Sequence, residues 1–118
     1  MDQALKEKWL ADLRSGKYAQ ARDVLHDIRD HAYCCIGVLC LSAGAVFDDF
    51  EQDEPSVRSL VNVPVLNERN IGDGDDGGLS LGYIREIGLT AEQQSILIKM
   101  NDSGKSFAVI ADYIEQNL

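Results

Sequence analysis

Tyr33-Cys34-Cys35-Ile36-Gly37-Val38-Leu39-Cys40-Leu41-Ser42-Ala43-Gly44 is the stretch on which the fold turns. From Cys34 to Ala43 it carries no charge, and it stops at a glycine, the residue that takes the left-handed backbone ending many helices. That pattern predicts a short helix buried on all sides. Free cysteine is among the most buried residue types and packs as a small hydrophobe, so the three thiols are expected in the core. The surrounding apolar run, Ala32 to Phe47, is broken by Gly37, Ser42 and Gly44 and is shorter than the roughly 20 residues a bilayer span needs. No membrane helix is expected. Three cysteines within seven positions, two of them adjacent, make a poor disulfide framework and point to a reducing compartment.

A helix apolar all round needs partners, and both ends of the chain supply them. Leu5, Trp9 and Leu13 stand at i, i+4 and i+8 with Leu10 beside them, while Lys6, Glu7, Lys8 and Asp12 fall elsewhere on the wheel. Asp2 is placed to cap this helix and Ser15-Gly16 to end it. Near the C-terminus, Thr90-Ala91-Glu92-Gln93 matches a capping box, Ile96, Leu97 and Met100 form an apolar face, and Asn101-Asp102-Ser103-Gly104 reads as the stop. Ser106 caps a second helix with Phe107, Ile110, Ala111 and Ile114 on one side. So short a turn packs the two helices on each other. The expected fold is mainly α, with α+β open. It is a compact helical domain in which the cysteine helix lies between the Trp9 helix and the C-terminal hairpin, with at most a short β-hairpin in the middle.

A chain of 118 residues with 45% apolar composition supports one core, so residues 1–118 are read as a single domain. Between the clear helices the signals are weaker. In Tyr18 to Tyr33 the signal is mixed: Ala19-Gln20-Ala21-Arg22 suits helix, whereas Val24-Leu25 and Ala32-Tyr33 flank the charged Asp27-Ile28-Arg29-Asp30, which suits a hairpin turn, and irregular or hairpin structure is expected. Residues 48–86 read as loop-rich: Asp48-Asp49-Phe50-Glu51-Gln52-Asp53-Glu54 has five acids in seven positions, and Gly72 to Gly78 is a loop by composition. Val61-Asn62-Val63-Pro64-Val65-Leu66 alternates like a strand, confined to an edge by Pro64.

Charge is concentrated in that middle stretch. Residues 1–47 carry six acids and six bases, residues 48–86 ten acids against Arg58, Arg69 and Arg85, and residues 87–118 four acids against two bases. The middle thus holds −7 of a net −9. A field of that sign repels phosphate backbones and steers towards basic partners. Direct nucleic-acid binding is therefore not expected. Charged from its first turn, Met1 to Lys8 lacks the apolar core of a secretory signal, which favours a cytoplasmic location.

Several motifs carry chemistry only on paper. Leu89-Thr90-x-x-Gln93 followed by Gly104-x-Ser106-Phe107-x-x-Ile110-Ala111 resembles the first two helices of a helix-turn-helix, but no third, recognition helix follows before Leu118. Plain hairpin packing is the better reading. His26, His31, Cys34, Cys35 and Cys40 offer metal donors without the paired spacings of zinc sites, so no metal and no cofactor are expected. Cys34 or Cys35 at a helix N-terminus, with His26 or His31 as base, would suit a nucleophile, yet nothing in the spacing places a histidine within reach. Asp73-x-Asp75 opens like a calcium loop but has Gly77 and Ile84 at two liganding positions. Gly72-x-Gly74-x-x-Gly77 spells a dinucleotide fingerprint with aspartates that would repel pyrophosphate.

Three blocks remain: Lys8-Trp9-Leu10-x-x-Leu13-Arg14-Ser15-Gly16-Lys17-Tyr18-x-Gln20, Tyr33 to Cys40, and Asn101-Asp102-Ser103-Gly104-Lys105-Ser106-Phe107-x-x-Ile110-Ala111-Asp112-Tyr113-Ile114-Glu115. Together they resemble a family of small proteins of tailed bacteriophages and prophages. The resemblance implies an accessory protein of a bacterial cytoplasm and carries no catalytic residues with it. Function is accordingly expected from a non-enzymatic binding module that modulates a host or phage factor. Its expected contact residues are Asp48, Asp49, Glu51, Asp53, Glu54, Asp73, Asp75 and Asp76, and its expected partner is a basic protein. The alternatives are a cysteine-dependent hydrolase or transferase and a small-ligand sponge of nucleotide type.

Overall fold

Four helices are built where the caps and stops of the sequence place them in a computed structural model that describes residues 1–22, 26–27, 30–44, 46–48, 60–62, 84–85 and 87–118. Helix α1 spans Gln3–Arg14: the Asp2 carboxylate accepts the Leu5 N–H at 2.9 Å, and Gly16 follows with φ 76°. Trp9, Leu10 and Leu13 are buried, with Leu5 partly so. Helix α2 is Cys35–Ser42 and ends before Gly44 at φ 90°. Ile36, Val38, Leu39, Cys35 and Cys40 are fully buried, as expected of a helix with no polar face.

Helix α3 spans Ala91–Asp102 and opens on the expected capping box: Thr90 Oγ accepts the Gln93 N–H at 3.0 Å, and Gln93 Oε1 accepts the Thr90 N–H at 2.9 Å. Helix α4, Phe107–Asn117, starts from Ser106 and buries Phe107, Ile110, Ala111 and Ile114. The helices close a ring, α1 packing on α2 and α4, α2 on α3, and α3 on α4. The cysteine helix is held between the Trp9 helix and the first helix of the C-terminal hairpin. The fold is mainly α. Across the ring, Arg14 reaches Asp112 at 2.8 Å and Glu115 at 3.4 Å; exposed pairs of this kind orient α1 on α4 more than they stabilise it.

The β structure exceeds the single hairpin expected. Strands β1 (Ala19–Gln20), β2 (His26–Asp27) and β3 (Ala32–Tyr33) form a small sheet in the order β1-β3-β2. β2 and β3 are antiparallel, with His26 opposite Tyr33 and Asp27 opposite Ala32. Asp27 therefore belongs to a strand and not to the turn, and His31 supplies a turn backbone at φ 51°. β1 adds in parallel on the other side, and the Ala21 N–H continues the ladder to the Tyr33 carbonyl at 2.8 Å. A two-residue parallel strand has no hydrophobic alternation to announce it. A second pair joins β4 (Val46–Asp48) to β5 (Leu60–Asn62), antiparallel, with Asp48 opposite Leu60. Asp48 therefore sits at a strand end, where a loop was expected; the strand expected over 61–66 is described at 60–62.

At the far end of the stretch read as loop-rich, 48–86, the structure adds a core residue. Ile84 is buried in the main core together with Leu89, whose N–H donates to the Ile84 carbonyl at 2.8 Å. Gly88 between them has φ 83° and lies against Met1, with room for no Cβ: one would come within 2.6 Å of the Met1 Cα.

Candidate functional site

The cysteine stretch is where the elements converge, and its polar geometry is denser than its composition suggests. At the start of α2 the cap is Cys34, whose sulfur accepts the Gly37 N–H at 3.4 Å in place of the usual hydroxyl or carboxylate. The next residue is held from three sides. The Cys35 N–H donates to the Asn101 carboxamide oxygen at 3.1 Å, the Trp9 indole N–H donates to the Cys35 carbonyl at 3.0 Å, and the Cys35 thiol donates to the Leu97 carbonyl at 3.5 Å.

Asn101 is fully buried near the end of α3 and uses its whole hydrogen-bonding capacity. Besides Cys35, its oxygen accepts from Gln20 Nε2 at 2.9 Å; its nitrogen donates to the Ala21 carbonyl at 2.8 Å and to Asp102 Oδ1 at 3.1 Å. Gln20 Nε2 also donates to the Lys105 carbonyl beyond α3, at 2.7 Å. One carboxamide thus ties β1, the first turn of α2 and the end of α3. Beside it Tyr18 and Tyr33 meet edge to face at 5.5 Å, and Lys17 lies 5.8 Å over the Tyr18 ring.

This environment suits structure better than nucleophilic chemistry. Cys34, Cys35 and Cys40 form no disulfide and are buried. Desolvation pushes the Cys34 thiol up to about 12 and raises those of Cys35 and Cys40 well above the ordinary range, because a thiolate would be stranded away from water. The dipole of α2 favours an anion at Cys34, but burial outweighs it. Among the described residues no group of three or more His, Cys, Asp or Glu side chains is arranged to hold a metal ion. Nor is any described helix long and apolar enough to cross a membrane.

Of the expected contact residues, Asp48 is placed by its backbone at the end of β4. Asp49, Glu51, Asp53, Glu54, Asp73, Asp75 and Asp76 lie outside the described residues. Asn101, Gln20 and the Cys34 cap were not recognisable as a unit: each sits in its own block of sequence, and Asn101 reads as a helix stop, a role Ser103 and Gly104 fill.

A family model described as a domain of unknown function, DUF8296, matches residues 1–118. The chain belongs to this family. The match takes in the Asn101 node, the cysteine helix and the acidic middle together. Comparison with curated proteins and comparison with solved structures each return no match.

Proposed function

We propose that the protein is a non-enzymatic accessory protein of phage or prophage type, acting in a bacterial cytoplasm, that binds a basic host or phage protein through its acidic middle stretch. The observation that carries this reading is the division of charge. Residues 1–47 are neutral and residues 87–118 carry −2, while residues 48–86 carry −7. Charge at that density raises the rate of encounter with a positive surface and penalises nucleic acid.

Two features of the helical body support the same reading. Its buried side chains Asn101 and Ser42 are hydrogen-bonded within the body, and burial favours the neutral form of its thiols. The resemblance of the three blocks to phage and prophage proteins supplies the cellular setting.

Affinity capture from bacterial lysate at low and at high salt tests the proposal. Contacts between exposed charges weaken as the Debye length shrinks from about 10 Å at 0.1 M salt to about 3 Å at 1 M. A basic protein retained at low salt and released at high salt is expected. Retention of salt-insensitive partners alone would overturn the acidic-surface reading.

A further inference from the structure

We propose that the Asn101 carboxamide is a latch on the first turn of α2, so that Cys34 and Cys35 become reactive through a local opening while Cys40 stays shut until the core unfolds.

Both ends of α2 are packed in the common core, and the start adds buried hydrogen bonds that converge on Cys35. At its start, Cys35 depends on Asn101 for its N–H and on Trp9 for its carbonyl, and the same carboxamide carries Ala21 and Gln20 of the neighbouring strand. Cys40, one turn and more further on, is buried among apolar side chains of the common core. Hydrogen bonds between buried groups can be exchanged for bonds to water if the segment swings out, whereas apolar contacts have no such substitute. The sheet that delivers Cys34 to α2 consists of two-residue strands, so little ladder has to break for the swing.

Removing the carboxamide leaves the Cys35 N–H and the Ala21 carbonyl without their partner in a dry site. The closed form then loses stability against a hydrated open form, while the remaining core stays packed. Asn101 acts on the thiols through the Cys35 backbone and is a positioning residue.

The full-length reduced protein, treated with N-ethylmaleimide and read by peptide mass spectrometry, tests this. In Asn101→Ala, labelling of Cys34 and Cys35 is expected to rise about tenfold over that of Cys40, with the helical circular dichroism retained. In Ile110→Ala, a core change on α4 away from the node, the three labelling rates are expected to rise together. Equal rises at all three cysteines in Asn101→Ala, or no rise, overturn the latch. Should Asn101→Ala fail to fold, the wild type answers by labelling in urea below its transition. Cys34 and Cys35 are expected to react with a weaker urea dependence than Cys40, because a local opening exposes less surface. The same dependence for all three overturns the latch.

Discussion

The body formed by residues 1–44 and 87–118 and the stretch of residues 48–86 handle polarity in opposite ways. In the body, polar groups turn inward and meet: Asn101 with Cys35, Gln20 and Ala21, Trp9 with Cys35, and Ser42 with Asp12 at 2.7 Å. In the middle stretch, ten acids stand against three bases, more negative charge than any internal pairing can neutralise. On the proposed reading, the first specifies the fold and the second meets the partner. Substitutions in the body should therefore be read as stability, and substitutions of the middle acids as binding.

The largest effect is expected at Trp9. Trp9→Ala removes a fully buried ring and orphans the Cys35 carbonyl, and should cost about 3–5 kcal/mol in urea unfolding. A cost below about 1 kcal/mol would break the claim that the body is organised around this contact.

Alkaline pH is expected to come next. Burial raises the Cys34 thiol to about 12 in the folded protein, against 9.0 in the absence of burial. Between those values the unfolded chain has released a proton that the native state keeps, so stability falls as pH rises, by up to about 1.4 kcal/mol per pH unit for each such thiol. Below pH 9 the contribution is fully present. Urea unfolding between pH 8.5 and about pH 10.5 should show this loss, and Cys34→Ala should show less of it. Identical slopes would place the thiol in contact with water.

A smaller effect belongs to the α3 cap. Thr90→Ala removes the hydroxyl of the capping box and should lower stability by about 1 kcal/mol. Thr90→Ser, which keeps the oxygen, should restore most of it.

How much of this could be read from the sequence follows from the range of the forces involved. The helices were legible because caps, stops and apolar faces act within a few residues: Asp2, Thr90 and Ser106 start their helices and Gly16, Gly44 and Gly104 follow the ends, as expected. Burial of Cys34, Cys35 and Cys40 was legible from the apolar run around them. The Asn101 node was not, because its partners Cys35 and Gln20 lie 66 and 81 positions away, and no local pattern distinguishes a buried carboxamide from a helix stop. At β1 the local preference of Ala19 to Arg22 for helix is overridden, because its partner is a parallel strand chosen by tertiary packing. Ile84 was not singled out as a core residue because the acids and glycines before it dominate composition. The candidate contact residues were chosen on charge alone, and of these the described residues include the backbone of Asp48.

The smallest stability effect and the largest functional one should coincide. A variant in which Asp48, Asp49, Asp53, Asp73, Asp75 and Asp76 become Asn and Glu51 and Glu54 become Gln leaves two acids against three bases and takes the middle stretch from −7 to +1. Measuring its unfolding free energy alongside its capture of partners from bacterial lysate tests the division of labour most directly. The account predicts stability within about 0.5 kcal/mol of the parent, with loss of the salt-sensitive partner. Retained capture, or collapse of the fold, would contradict it.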